Sequence, residues 1–167
     1  MNLSKLATVF SETATADTLL VAGYATTAGV NGIYTRDSST DTYSNGTYTI
    51  KTASLKWGIY SGSTLIVEES DATARPQGGT WAACNVLEAA ALSIASNTTA
   101  VVLSLVMTGG ADGGFVAFNG DGITHLYSLA PETVAVNDTR QVFTSGSIYV
   151  AGAPGTSAQL SYDTVSA

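Results

Sequence analysis

Asn31-Gly32-Ile33-Tyr34-Thr35 and Asn45-Gly46-Thr47-Tyr48-Thr49 nearly repeat each other close together in the chain. Asn-Gly admits positive φ at consecutive positions, as the commonest two-residue hairpin turn requires. The Tyr and Thr that follow suit a pleated, half-buried strand. Two such signals in quick succession predict a compact antiparallel meander. Nothing comparable in the chain favours a long amphipathic helix.

The surrounding residues extend this reading from 17 to 72. Leu19, Val21 and Gly23 alternate with Thr18, Leu20 and Ala22, and Ile33-Tyr34-Thr35-Arg36 follows the first Asn-Gly. Thr42-Tyr43 leads into the second, with Tyr48 and Ile50 out of phase with Thr47 and Thr49. Trp57-Gly58-Ile59-Tyr60 then reaches a turn at Ser61-Gly62-Ser63, and Thr64-Leu65-Ile66-Val67-Glu68 returns.

Before this module, Leu3, Leu6, Ala7 and Phe10 fall at helical spacing and a polar run follows. Residues 1–16 therefore read either as a short helix or as an extended arm laid on a neighbouring subunit. After it, residues 73–80 lack apolar periodicity and contain Pro76, Gly78 and Gly79, which marks a linker. Residues 81–167 read as a β-sandwich domain. Trp81 to Ala95 carries Ala-rich helix propensity, yet Val86, Glu88, Ala90, Leu92 and Ile94 share one strand face. With Ser96-Asn97-Thr98-Thr99 as a turn into a strand at Ala100 to Met107, a hairpin is the preferred reading. Phe115–Phe118, Ile123–Leu129, Thr133–Val136, Gln141–Phe143, Ser147–Val150 and Ala158–Tyr162 read as further short strands. The fold class expected is all-β: an N-terminal antiparallel β-meander followed by a C-terminal β-sandwich.

Composition narrows the function. Asp, Glu, Lys and Arg make up 11% of the 167 residues, and the net charge is -7. The basic residues (Lys5, Lys51, Lys56, Arg36, Arg75 and Arg140) are scattered, so no phosphate-binding patch is expected and nucleic acid is excluded as a partner. No apolar core of a signal peptide follows Lys5, and no stretch approaches the roughly 18 apolar residues of a membrane helix. The Asn-x-Ser/Thr triplets at Asn2, Asn45, Asn97 and Asn137 read as chance in a Thr-rich chain. Cys84, the lone cysteine, permits neither an internal disulfide nor a thiolate zinc cage and reads as a small buried hydrophobe.

Reactive constellations are weak. His125, the only histidine, lies near Asp121, but no Gly-x-Ser-x-Gly elbow presents a nucleophile. Glu68 and Glu69 are adjacent, so on a strand they point to opposite faces and cannot flank one glycosidic bond; an exposed strand end is expected. Asp112-Gly113-Gly114, Asn119-Gly120-Asp121-Gly122 and the Asp37/Asp41 loop are oxygen-rich, but the first two lack calcium-loop spacing and are favoured hairpin turns. No catalytic residue, cofactor or metal is assigned. Tyr34, Tyr43, Tyr48, Trp57 and Tyr60 crowd the first module. They are candidate contacts for a protein interface or a glycan, or else the core and cross-strand pairs of a small sheet.

Asn31-Gly32-Ile33-Tyr34, Tyr43-Ser44-Asn45-Gly46-Thr47-Tyr48 and Trp57-Gly58-Ile59-Tyr60 together resemble a β-meander module of phage tail-fibre and other virion surface proteins. Ser147 to Ala153 and Leu160-Ser161-Tyr162 resemble the closing strands of phage virion sandwiches. The resemblance implies a non-enzymatic virion structural protein, in a capsid-decorating or tail/fibre position. It would be assembled in the host cytoplasm from copies of itself and other virion proteins. The alternative expectation is a module that binds host glycans through the Tyr-rich face.

Overall fold

The structure, a computed structural model, describes the backbone of residues 4–108, 115–119, 125–129, 135–136 and 141–166, with side chains over 4–91 and 149–163. Its described residues are all-β and antiparallel, with two short 3-10 turns and no α-helix. The strands are β1 (Ser4–Val9), β2 (Thr18–Ala22), β3 (Gly32–Asp37), β4 (Thr42–Ser44), β5 (Thr49–Ala53), β6 (Lys56–Ser61) and β7 (Thr64–Glu68). They are followed by β8 (Asn85–Thr108), β9 (Phe115–Asn119), β10 (His125–Leu129), β11 (Ala135–Val136), β12 (Gln141–Gly152) and β13 (Ser157–Ser166).

From β2 to β7 each strand pairs with the next. Directly opposed residues share a face, and the register builds one apolar stripe across the sheet. Leu19 opposes Tyr34, while Tyr43, Ile50, Ile59 and Val67 form a continuous row. Tyr43 meets Trp57 edge-to-face, with centroids 6.3 Å apart and planes at 65°. Each large side chain closed off in this way contributes about 1.5–3 kcal/mol.

The segment expected as a linker roofs the stripe. Pro76 and Gln77 are buried in a 3-10 turn at Pro76–Gly78, and Trp81 and Cys84 join the core beneath. Gln77 Nε2 donates to the carbonyls of Ser11 and Ala14, which ties this roof to the chain leaving β1. β2 then pairs with β8, from Leu19 opposite Glu88 to Ala22 opposite Asn85, so the sheet runs unbroken past residues 73–80. Both faces of β2 are covered: Leu20 packs with Ala89 and Ala151 on the side away from the stripe.

β8 organises the second half. One edge carries β12 and β11; the other carries β2 and then β13. The expected hairpin at residues 81–99 is absent. Residues 96–99 continue the strand, and the irregularity falls in its pairing with β12, between Thr144 and Gly146. Partners on both edges outweigh the helix propensity of the alanines and the turn preference of Ser96-Asn97. Likewise, the two strands expected at 141–143 and 147–150 are one strand, β12. Residues 4–9 are a strand paired with β13 of the same chain, neither a helix nor an arm on a neighbouring subunit.

The Asn-Gly pairs work differently from the expected two-residue turns. Asn31 (φ -73) closes a 3-10 turn at Ala28–Val30, and its side chain bonds both backbone groups of Tyr24. Asn45 Oδ1 accepts from the N–H groups of Thr47 and Tyr48. In each case the amide imitates a peptide group, and only the glycine has positive φ. A two-residue turn with positive φ at both positions is instead Ser54-Leu55, between paired Ala53 and Lys56, with φ of 54° and 73°. Those angles suit Asn-Gly and cost an L residue about 1–2 kcal/mol each. Replacing Ser54-Leu55 by Asn-Gly is expected to raise stability by about 1–2 kcal/mol, or roughly 3–6 °C in melting temperature. Calorimetry showing an unchanged or lower melting point would refute the strain.

Candidate interaction surface

Tyr34, Tyr43, Tyr48 and Trp57 turn into one core, while Tyr60, next to Ile59 on β6, lies on the opposite face beneath the Lys51 ammonium group, 4.6 Å from its ring. Tyr34 and Tyr43 are fully buried, Trp57 and Tyr60 are nearly so, and Tyr48 is half-buried against the same core. Tyr34 donates its hydroxyl to the Val30 carbonyl at 2.8 Å, and burial holds its phenol well above the usual tyrosine range. The Tyr43 hydroxyl is enclosed without a hydrogen-bond partner among the described residues, and desolvation raises its pKa too. Rings closed off from solvent cannot stack on a sugar, so the Tyr-rich face is packing rather than a glycan platform. Half-buried Tyr48 keeps some exposure.

Glu69 departs furthest from its expected place. It is 1% exposed rather than at an open strand end. Its Oε1 accepts from the Trp57 N–H at 2.9 Å and the Thr73 N–H at 3.2 Å, and its Oε2 from the Thr73 hydroxyl at 2.6 Å. Three donors make its burial tolerable. The carboxylate anchors the roof to β6 and is fully engaged there. Glu68 ends β7 opposite Gly58, half-buried.

Asp41 is claimed by cations of the protein itself. Arg36 reaches its Oδ1 from Nε and Nη2, and Arg75 reaches both oxygens from Nη1. Asp37, on the neighbouring strand end, accepts from the Ser39 N–H and hydroxyl. With Asp41 bridging two guanidinium groups, a calcium ion between these aspartates would have to displace both. The Arg36 hydrogen bonds, then those of Arg75, hold the Asp41 carboxyl below the usual range. A lowered folded-state pKa stabilises above the ordinary carboxylate value and is lost as pH falls through the lowered one. Asp41→Asn is therefore expected to flatten the acid limb of the stability curve. Because the cluster is exposed, its effect near neutrality should stay below about 1 kcal/mol. Urea melts at pH 3 to 7 would show this; an unaltered acid limb would contradict it.

Cys84 is buried, and burial pushes its thiol up to about 11, so it behaves as packing. Beside it lies a cleft of about 260 Å³ bordered by Gln77, Trp81, Asn85, Leu87 and Pro154. That is below the usual ligand-pocket range of about 300–1,000 Å³. His125 opens β10, but its side chain lies outside the described residues, as do Asp112-Gly113-Gly114 and Gly120-Asp121-Gly122.

The margins of the sheet present apolar side chains instead. Val9 on β1 is 73% exposed, Leu55 at its strained turn 82%, and Leu65 on β7 45%. β1 pairs with β13 through six consecutive residues, and among the described residues nothing pairs with its other edge. Its residues alternate, with Lys5, Ala7 and Val9 outward and Ser4, Leu6 and Thr8 half-buried. Sequence reading missed this edge because the Leu3, Leu6, Ala7 and Phe10 spacing suited a helix as well. The alternating polarity of Ser4 to Val9 was the available signal. Comparisons with protein-family models, curated proteins and solved structures find no match to this chain.

Proposed function

We propose that this chain is a non-enzymatic structural protein of a phage virion, decorating the capsid or forming part of the tail or fibre. It acts by assembly with other virion proteins and with copies of itself. In this reading the N-terminal meander is one docking body, and the second half forms a β-sandwich behind it. The resemblance of the Asn-Gly-x-Tyr and Trp-x-Ile segments supports the virion setting. The observation that carries the mode of action is the placement of exposed apolar side chains at the open edge β1, at the edge strand β7 and at a hairpin tip. Open strand edges are templates for other chains, and folds that do not use them blunt them. With the aromatics spent on the core, contact energy would come from backbone pairing and small aliphatic groups.

The test is to mix the purified full chain with phage capsids and with phage tails that lack it, and to follow co-sedimentation. Saturable binding to one of these particles is the expected result. A chain that binds neither and stays monomeric at about 100 μM overturns the proposal.

A further inference from the structure

Resting on that assembly reading, we infer that two copies of this chain join edge to edge through antiparallel pairing of β1 with β1, Ala7 facing Ala7 across the two-fold axis. Four observations lead to this arrangement.

The first is the open edge itself. β1 is in unbroken register with β13, from Ser4 opposite Tyr162 to Val9 opposite Ser157. It contains no proline and no bulge, and its one charged residue is Lys5. Among the described residues β7 also pairs on one side only, but it is protected. The shift from Ile59 opposite Val67 to Tyr60 opposite Leu65 leaves Ile66 as an extra residue, and such a bulge twists an edge away from partners. β1 has no such protection.

The second is what such an edge accepts. Outward backbone N–H and C=O groups in a row take another extended strand, and a second copy brings an edge of the same length and spacing. An antiparallel pair of identical strands requires a two-fold axis perpendicular to the sheet. The axis keeps each face on its own side, and directly opposed residues must share a face. The numbers of any opposed pair therefore sum to an even value.

The third is charge. Sums of 12 and 14 both give a five-residue ladder within Ser4–Val9. A sum of 12 sets Lys5 opposite Ala7 of the second copy, leaving the two ammonium groups two residues, about 7 Å, apart along the strands. A sum of 14 sets Lys5 opposite Val9 of the second copy and separates the charges by about 14 Å, beyond the ~8–10 Å screening length of physiological salt. The second register wins.

The fourth is Val9, an exposed aliphatic side chain that the folded chain leaves uncovered. In the chosen register the methylene stem of Lys5 from the second copy lies across it, with the ammonium group free in water. A five-residue ladder is a small interface, so the isolated dimer is weak, and each chain's net charge of -7 works against it. Association should tighten as salt rises.

Sedimentation equilibrium of the full chain from about 10 to 500 μM tests the arrangement. Val9→Glu places a carboxylate opposite Lys5 of the second copy and is expected to tighten the dimer about two- to tenfold, although it makes each chain more acidic. Val9→Lys makes two like-charge pairs and is expected to weaken it by a similar factor, although it lowers the net charge. These signs run opposite to what overall charge would produce. Ala7→Lys, which sets two lysines face to face on the axis, should also weaken it. Both positions are exposed, so thermal melts should stay close to wild type and separate association from folding.

If the wild-type chain associates but none of these variants changes it, β1 is the wrong surface while the assembly reading stands. If Val9→Glu weakens association as Val9→Lys does, the register is wrong. If the chain is monomeric throughout but binds capsids or tails, self-pairing is overturned and the particle-binding proposal survives.

Discussion

Glu69→Ala is expected to lower the unfolding free energy by about 3–5 kcal/mol. The change takes the acceptor from the buried Trp57 N–H and the half-buried Thr73 N–H, and a buried donor left without a partner costs roughly 1–3 kcal/mol. The Thr73 hydroxyl escapes this penalty because it also reaches the Arg75 carbonyl at 2.9 Å. Glu69→Gln separates hydrogen bonding from charge. Its amide oxygen can keep the two N–H donors, and its NH2 can donate to the Thr73 oxygen while that hydroxyl turns to Arg75. Glutamine should therefore cost well under half as much as alanine. Gly79→Ala attacks the same site from above, since a Cβ there would coincide with the Glu69 carboxylate. The effects of Gly79→Ala and Glu69→Ala should then fall well short of additive, as expected for residues in contact. Urea unfolding of the four variants measures all of this. Equal losses for Gln and Ala would mean that the negative charge, rather than the acceptor count, holds the roof in place.

Phe10→Ala should be nearly as damaging, at about 3–5 kcal/mol. Phe10 is 1% exposed, and its backbone is clasped by the loop between β12 and β13: its N–H donates to Thr156 and its carbonyl accepts from Gly155. The ring lies over Gly152, where a Cβ would enter it and also crowd the Thr156 hydroxyl. Gly152→Ala must therefore expel the ring or shift β12. Losses in the same range are expected for Gly152→Ala, with little further loss when it is combined with Phe10→Ala. Hydrogen exchange adds a spatial signature: in both variants β1 should lose protection before β4 and β5 do. Uniform loss across the sheet would show that the clasp is not a separate unit.

The sequence disclosed what is local and regular. Trp57 to Tyr60, the turn at Gly62-Ser63 and Thr64 to Glu68 appear where aromatic and β-branched residues alternate around a glycine, and there the pattern and the backbone agree. The five aromatic candidates were legible as a group, but a residue list carries no sign for inside or outside. Register supplied that sign, by placing Tyr43, Ile50 and Ile59 in one row beneath a roof. The roof itself was hidden because Thr73 to Gly79 is held by specific hydrogen bonds, donated by Gln77 to the chain leaving β1 and by Thr73 to Glu69, rather than by apolar periodicity. β8 was hidden for a different reason. Its alanines speak for a helix, and only neighbours distant in sequence on both edges override them. The Asn-Gly pairs announced turns correctly, but the geometry was set by side-chain amides that a dipeptide rule does not represent.

The pairing of β1 with β13 has a temporal side. At ~5–20 residues per second, a ribosome needs roughly 10–30 s to travel from Val9 to the end of β13. For that whole interval the earliest strand has no mate within its own chain, while the strands between can close at once on their neighbours. The pairing of β1 must therefore wait until β13 has been made. A nascent chain stalled short of Ser157 would carry the sheet from β2 to β7 with β1 loose and one edge of β8 open, and removing β13 would release β1.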